Sequence, residues 1–468
     1  MSKHGLFSVI VIAAMLMTIT AATAVCGEGG ISTDYIQNLQ KSFALDSFSR
    51  AVYNAVTNTS INDLALNRDI VRNSNDLFNH KLKVKGITSQ ESSGRCWLFA
   101  SLSLIRSYVI NKYKMDDFEF SQNYLAFWDK FEKANTFLEY IIEFRDRDPL
   151  DRELESILES PDGDGGYFRY TVDLIGKYGA VPKDIMPETK SSGHTALMNK
   201  ILALKLRHNA GTLRQMYKNG STVEELRNAK EGMLPDIYRL LVINLGEPPT
   251  EFTWRYKTND STLSDPKQYT PQSFYKDFVG IDLSEYVNIF NNPTKEYGLH
   301  IKGALSRNMY DREDIDYANV SMDVIRQIAL KSVLNDDPVA FSADVSEDQD
   351  SKQGIMAKGV YDYQGLFDTD LGMDKTTRAL LRQNSANHLM VIVGVDTTDG
   401  KSAKWRVENS WGEKSGNKGY WTMYNDWFDM YGYNIIVKKK YVPKDVMKIF
   451  DKEPVVIPYW DPMTGKLR

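Results

Sequence analysis

The chain has 468 residues, 42 % of them apolar and 25 % charged, with a formal net charge of −5. That length and apolar share suffice for a large core or for two or three domains, and the charged share is that of a soluble globular protein. The mild acidity excludes a basic nucleic-acid-binding surface as the chain's main feature, and two cysteines, Cys26 and Cys96, are too few for a disulfide framework.

Lys3 and His4 precede a run from Leu6 to Val25 without a charged residue, and Ala22-Thr23-Ala24 closes it with small residues. A basic start, an apolar stretch and a small-x-small site describe an export signal, so residues 1–25 are expected to send the chain to the periplasm or the exterior. Cys26 follows at once, as in lipid-anchored proteins, although Val25 stands where that pattern wants a small residue. An uncleaved membrane anchor is the alternative, because the run is long enough to span. With Cys26 removed or acylated, Cys96 is an unpaired thiol in an exported protein, and such a thiol is a candidate functional group.

Residues 26–80 read as a helical lead-in, with Leu39, Phe43, Leu45, Phe48, Val52 and Val56 at helical spacing. From Trp97 to Ile110 the sequence is apolar on nearly every side, which predicts a buried helix entered through Ser92-Ser93-Gly94. Residues 120–145 predict a second long helix rich in Phe, Tyr and Trp. Asp162-Gly163-Asp164-Gly165-Gly166 is a glycine-rich loop, residues 195–240 are helical, and the prolines at 248, 249, 266 and 271 mark loop and short strand. After residue 335 the pattern changes to strands: Val339–Val345, Leu389–Val395, Lys404–Glu408, Gly419–Tyr424 and Tyr433–Val437. The expected class is α+β. A helical half over 81–335 carries Cys96, an antiparallel half over 336–445 follows, a C-terminal arm covers 446–468, and a cleft lies between the halves.

Peptide-bond cleavage by a thiol needs a thiolate, a base, an orienter for the base and donors for the oxyanion. Cys96 stands where the Ser-Ser-Gly-Arg loop gives way to the buried helix, and the helix N-terminus is expected to lower its pKa. Of six histidines, His4 lies in the export signal, and His80, His194, His208 and His300 have no orienter near them in sequence. His388 opens one strand, Asn409 closes the next, and Thr397-Thr398-Asp399-Gly400 is a turn between them. The midpoint of 388 and 409 falls inside that turn, so the two residues are expected to oppose each other in a hairpin, with the Asn carbonyl accepting from one ring nitrogen. The backbone N–H of Cys96 and the side-chain amide of Gln90 are the oxyanion donors, and Trp411 covers the His388–Asn409 contact. Alone, these are a core cysteine, a strand-edge histidine, a turn asparagine and a surface glutamine; the combination points to chemistry. The Asp162–Gly166 run lacks the third acid and the distant glutamate of a calcium loop, and no His or Cys pair has ligand spacing, so neither metal nor cofactor is expected.

Gln90-Glu91-Ser92-Ser93-Gly94-Arg95-Cys96-Trp97 and Asn409-Ser410-Trp411-Gly412 resemble the active-site segments of papain-like cysteine peptidases. The bleomycin hydrolase and aminopeptidase C branch is more similar still. It shares the arginine before the cysteine, Phe118-Glu119-Phe120-Ser121-Gln122-Asn123-Tyr124-Leu125, Phe127-Trp128-Asp129-Lys130, Lys177–Lys183, Trp405–Glu413 and the tail Glu453–Met463. The resemblance runs from about residue 80 to the end. It implies a papain-like fold with a barrel-like β half and large helical insertions, a homohexamer, and aminopeptidase action on short peptides. It further implies that Gly165, Gly166, Asn387 and Trp411 contact substrate, and that the C-terminal arm lies in the cleft with its carboxylate facing the substrate's amino group. The chain departs from that branch in its ending, Thr464-Gly465-Lys466-Leu467-Arg468, which brings two cations toward the amine site. It departs also in Tyr167-Phe168-Arg169 after the glycines, and in Asn387 and Leu389 beside the histidine. An endopeptidase with an unblocked cleft and a non-catalytic peptide-binding homologue are the rival readings.

Overall fold

The computed structural model describes residues 29–463; the apolar N-terminal run, Cys26 and Thr464–Arg468 lie outside that range. The chain divides into two compact units, residues 1–64 and 65–468.

In the first unit, the helices Thr33–Ser42 and Ser47–Val56 start at Ser32 and Asp46, whose side chains accept from Tyr35 N–H and Ser49 N–H. Both are N-caps of the expected chemistry. Neither helix has a buried residue, and Tyr35, Leu39, Phe43 and Phe48 are exposed. From Ala65 onward the chain belongs to the second unit, so the lead-in is shorter than 26–80; His80 and Lys81 already pair with Val395 and Gly394. No helix among the described residues is long and apolar enough to cross a membrane.

The second unit sets helices against a mixed sheet. The Cys96–Tyr113 helix is buried on nearly every face, as its composition requires. The helices Gln122–Glu143 and Phe168–Tyr178 pack against it, and Ala196–Lys218 and Val223–Leu245 pack in turn on Gln122–Glu143, the last opened by a Thr222–Glu225 capping box. The sheet has twelve strands. At its centre Gly432–Lys438, Val339–Ala343, His388–Thr398, Lys401–Glu408 and Tyr420–Tyr424 lie side by side and antiparallel. Beyond Gly432–Lys438 come Tyr286–Phe290, Asp316–Asn319, His300–Gly303 and Val455–Ile457, two of these pairings being parallel. The sheet therefore begins well before residue 336. These early strands are four or five residues long, and Asn319 at the end of one is tied to backbone: it accepts from Asn292 N–H at 2.7 Å and donates to Glu296 O at 2.8 Å. Short length and polar ends hide the alternation that marks a strand.

The His388–Thr398 strand joins the two cores. Leu389, Val391 and Val393 face the helical core, while Met390 and Ile392 face the core on the other side of the sheet. Burial on both faces explains why this strand is a continuous apolar run.

Candidate active site

The Gln90–Cys96 turn delivers the thiol. Arg95 occupies the helix N-cap without capping it. Its guanidinium instead forks onto Glu188, at 3.2 and 2.7 Å, and lies 5.2 Å from the Phe99 ring. Cys96 is buried, and the backbone N–H groups of Leu389, Trp97 and Cys96 itself favour its thiolate form. Burial pushes the thiol up to about 11, opposite to the direction expected from the helix N-terminus: desolvation outweighs the three N–H groups, and Asp164 raises it further.

The base side is built on the hairpin. His388 Nε2 and Asn409 Oδ1 are 2.8 Å apart. An amide oxygen only accepts, so Nε2 carries the proton and Nδ1 is free of that bond. The register differs from the expected one. Val391 opposes Glu408, Ile392 opposes Val407, and the loop is Asp399-Gly400, with φ of 52° and 74°, the backbone of a type I′ turn. The ladder stops at Val391/Glu408, and Asn409 meets His388 diagonally rather than across a pair. Burial pushes His388 down to about 4, with the Asn409 bond opposing. The Trp411 ring lies 4.7 Å from the imidazole, tilted by 31°, and covers it.

Gln90 is buried and held at both ends of its amide. Its Oε1 accepts from Ser410 Oγ at 2.7 Å, and its Nε2 donates to Ser93 O at 2.6 Å. The Ser93 carbonyl, which only accepts, sets which end of the amide is the donor, and the Ser410 hydroxyl, adjacent to Asn409, serves the other end. Backbone bonds from Gln90 N–H to Ser410 O and from Gly412 N–H to Thr88 O stitch the two segments together.

Gly166 stands against the helix: a Cβ there would meet the Trp97 ring at 2.6 Å and Tyr170 at 2.8 Å, so only glycine fits. It lines a cavity of about 520 Å³ with Tyr167, Phe290, Ala386, Leu389 and Met463. The walls are mostly apolar, with Arg169, Asp316 and Lys439 as the charged members. Gly165 is not among the residues lining this cavity, and its carbonyl accepts from Lys133 Nζ at 2.6 Å. Asn387 does not line it either: its side chain accepts from Val345 N–H at 3.0 Å and donates to Asp344 at 2.8 Å and Ser346 at 2.7 Å.

Met463 reaches the cavity on the C-terminal arm. Val455–Ile457 pairs in parallel with Ile301–Gly303, Arg382 donates to Trp460 O at 2.9 Å, and Asp461 accepts from Met463 N–H at 2.9 Å while pairing with Lys295 at 3.3 Å. Two of the set-aside histidines do have carboxylate partners, His300 with Asp316 at 2.9 Å and His80 with Asp336 at 3.2 Å. Cys96 is the one free cysteine among the described residues, and its neighbour Leu389 follows His388. Sequence reasoning missed Ser410, Met463 and Glu188, whose roles rest on contacts made far along the chain.

A buried thiol at a helix start, an imidazole–asparagine pair on a facing strand and a cleft between helical and sheet layers define a papain-like cysteine peptidase. The chain belongs to the peptidase C1-like family, whose model matches residues 30–464. It is 34 % identical over 436 residues to aminopeptidase C of Streptococcus thermophilus, covering 92 % of this chain and 98 % of that one. It is 37 % identical over 389 residues to aminopeptidase C of Listeria monocytogenes, covering 83 % and 88 %. Among solved structures, PepW of Lactobacillus rhamnosis HN001 superposes with a TM-score of 0.90 at 36 % identity, covering 94 % of this chain and all of that one.

Proposed function

We propose that this cysteine peptidase removes N-terminal residues from short peptides, with Cys96 as nucleophile, His388 as acid–base, Asn409 as its orienter and Gln90 as an oxyanion donor. The observation that carries this reading is the 2.8 Å His388–Asn409 bond on the strand whose next N–H, that of Leu389, favours the Cys96 thiolate. Burial disfavours a lone thiolate and a lone imidazolium alike. Passing the thiol proton to His388 creates both ions together, and each is the other's counter-charge. The thiolate attacks the scissile carbonyl, and the oxyanion is met by Cys96 N–H and the second N–H of the Gln90 amide. His388 protonates the leaving amine, and water then releases the acyl-enzyme.

Restriction to the N-terminal end is supported by the arm, whose Met463 lines the same cavity as Leu389. The test compares one peptide with a free and an acetylated N-terminus. Cleavage of the free form alone is expected; equal cleavage of both would make the enzyme an endopeptidase. Cys96→Ala distinguishes this enzyme from a peptide-binding homologue, because only an enzyme loses turnover. The Leu6–Val25 run supports export, with membrane attachment only through that run or a lipid on Cys26, and the family resemblance supports a homohexamer.

A further inference from the structure

The glycine-rich loop carries an aspartate that the chemistry above does not use. Asp164 is nearly buried, with its side chain 10 % exposed, and it touches the polypeptide on both sides of Cys96. Its Oδ2 accepts from Gly94 N–H at 2.9 Å, two residues before the nucleophile. Its backbone carbonyl accepts from the Trp97 indole N–H at 2.7 Å, one residue after it. Gly94 lies so close that a Cβ there would meet the Asp164 Cβ at 2.8 Å. Behind it the carboxylate is braced by Asn199 Nδ2 at 2.7 Å, the Thr195 hydroxyl and Lys130 Nζ at 3.0 Å. Lys130, itself buried, also pairs with Asp162 at 3.3 Å, so an ammonium sits between the two acids of the run. Burial alone would raise Asp164, but Lys130 and the hydrogen-bond donors hold it well below the usual carboxylate range, so it stays ionised.

We propose that Asp164 is a positioning residue that fixes the Ser93–Trp97 backbone and thereby aims both oxyanion donors. Gly94 N–H belongs to the peptide whose carbonyl, that of Ser93, receives the Gln90 amide, so one carboxylate steadies that amide and the approach to Cys96 N–H. A charged acceptor suits this task because charge-assisted bonds to backbone N–H are about twice as strong as neutral ones. A donor displaced by about 1 Å costs on the order of 10²-fold in rate, which is the leverage available to such a tether.

The proposal rests on Cys96 being the nucleophile, and the test separates the two. In the full-length enzyme, kcat and KM on an aminoacyl-coumarin substrate are measured beside the rate of Cys96 alkylation by iodoacetamide, a displacement that forms no oxyanion. Asp164→Ala is expected to lower kcat about tenfold or more, with KM and the alkylation rate changed less than about threefold. Asp164→Asn, which keeps an acceptor for Gly94, should recover most of the loss. Gly94→Ala keeps the carboxylate but forces it away, and should reproduce the alanine defect if Asp164→Ala does not fold. Unchanged kcat in folded Asp164→Ala or in Gly94→Ala overturns the proposal, as does an equal fall of kcat and alkylation rate without recovery by asparagine. If Cys96 were not the nucleophile, Cys96→Ala would retain turnover whatever these variants do.

Discussion

The proposed nucleophile and the proposed base are held by different physics. The Ser92–Cys96 turn belongs to no strand ladder; beyond the Ser92 N–H bond to Gly193 O at 2.9 Å, it is tethered by carboxylates from distant segments, Glu188 on Arg95 and Asp164 on Gly94. His388 instead begins a strand inside the sheet, opposite Ala343, and its partner Asn409 follows the next strand directly. One half of the site leans on carboxylate tethers and isolated backbone bonds, the other on a continuous strand ladder. A turn can be re-aimed by losing one side chain, whereas a central strand resists it, so the two sides should respond differently to substitution.

The largest expected effect lies on the nucleophile side. Cys96→Ala should lower kcat by at least about 10⁴-fold while leaving Tm unchanged, as measured with a peptide-coumarin substrate and by thermal unfolding. Gln90→Ala should lower kcat by about 10²-fold with KM nearly constant, because the amide is asked to act on the oxyanion and not on the bound ground state. Asn409→Ala on the base side should cost less than the cysteine change, since Asn409 orients and does not react. If the asparagine variant proved as inactive as the cysteine variant, the comparison would fail.

One contact spans both sides. Arg106, on the Cys96 helix, pairs at 2.7 Å with Glu408, the residue before Asn409, and both side chains are under 5 % exposed. Arg106→Met leaves that carboxylate buried without its partner and should destabilise the fold by about 3–5 kcal/mol, read in urea unfolding, while combining Arg106→Met with Glu408→Leu recovers most of it. A smaller effect comes from His388. Its proton is held less tightly in the fold, at about 4, than in the unfolded chain, at about 6.5. The unfolded state therefore binds more protons between these values, and the stability His388 contributes above about pH 6.5 is lost as pH falls toward 4. His388→Gln should flatten the fall of Tm across that window; an unchanged slope would contradict neutral burial of the ring.

The same contrast explains what the sequence made legible. Cys96, His388, Asn409 and Gln90 stand out because each sits in a local pattern: a polar turn before an apolar helix, an apolar strand, and a turn between two strands. The strand limits after residue 335 follow for the same reason. The register is displaced because bulges between Ile392 and Gly394 and between Asp396 and Thr397 are invisible to a constant-sum rule. The tethers of Arg95 and Asp164 are not legible, since their partners lie 93 and 70 residues away. The thiol's upward shift escapes sequence reasoning because helix position is local and desolvation is not. The Asn387 side chain also organises the 344–346 turn, through contacts far back along the chain that its sequence neighbours do not signal.

The most direct test of the account is to trap the sulfur. An epoxide bearing a free amino terminus is incubated with the enzyme, and the product is digested and mapped by mass spectrometry. The account predicts one adduct per chain, on Cys96, with activity lost in proportion to labelling, and no adduct in Cys96→Ala. Full labelling of Cys96 with turnover preserved would contradict it.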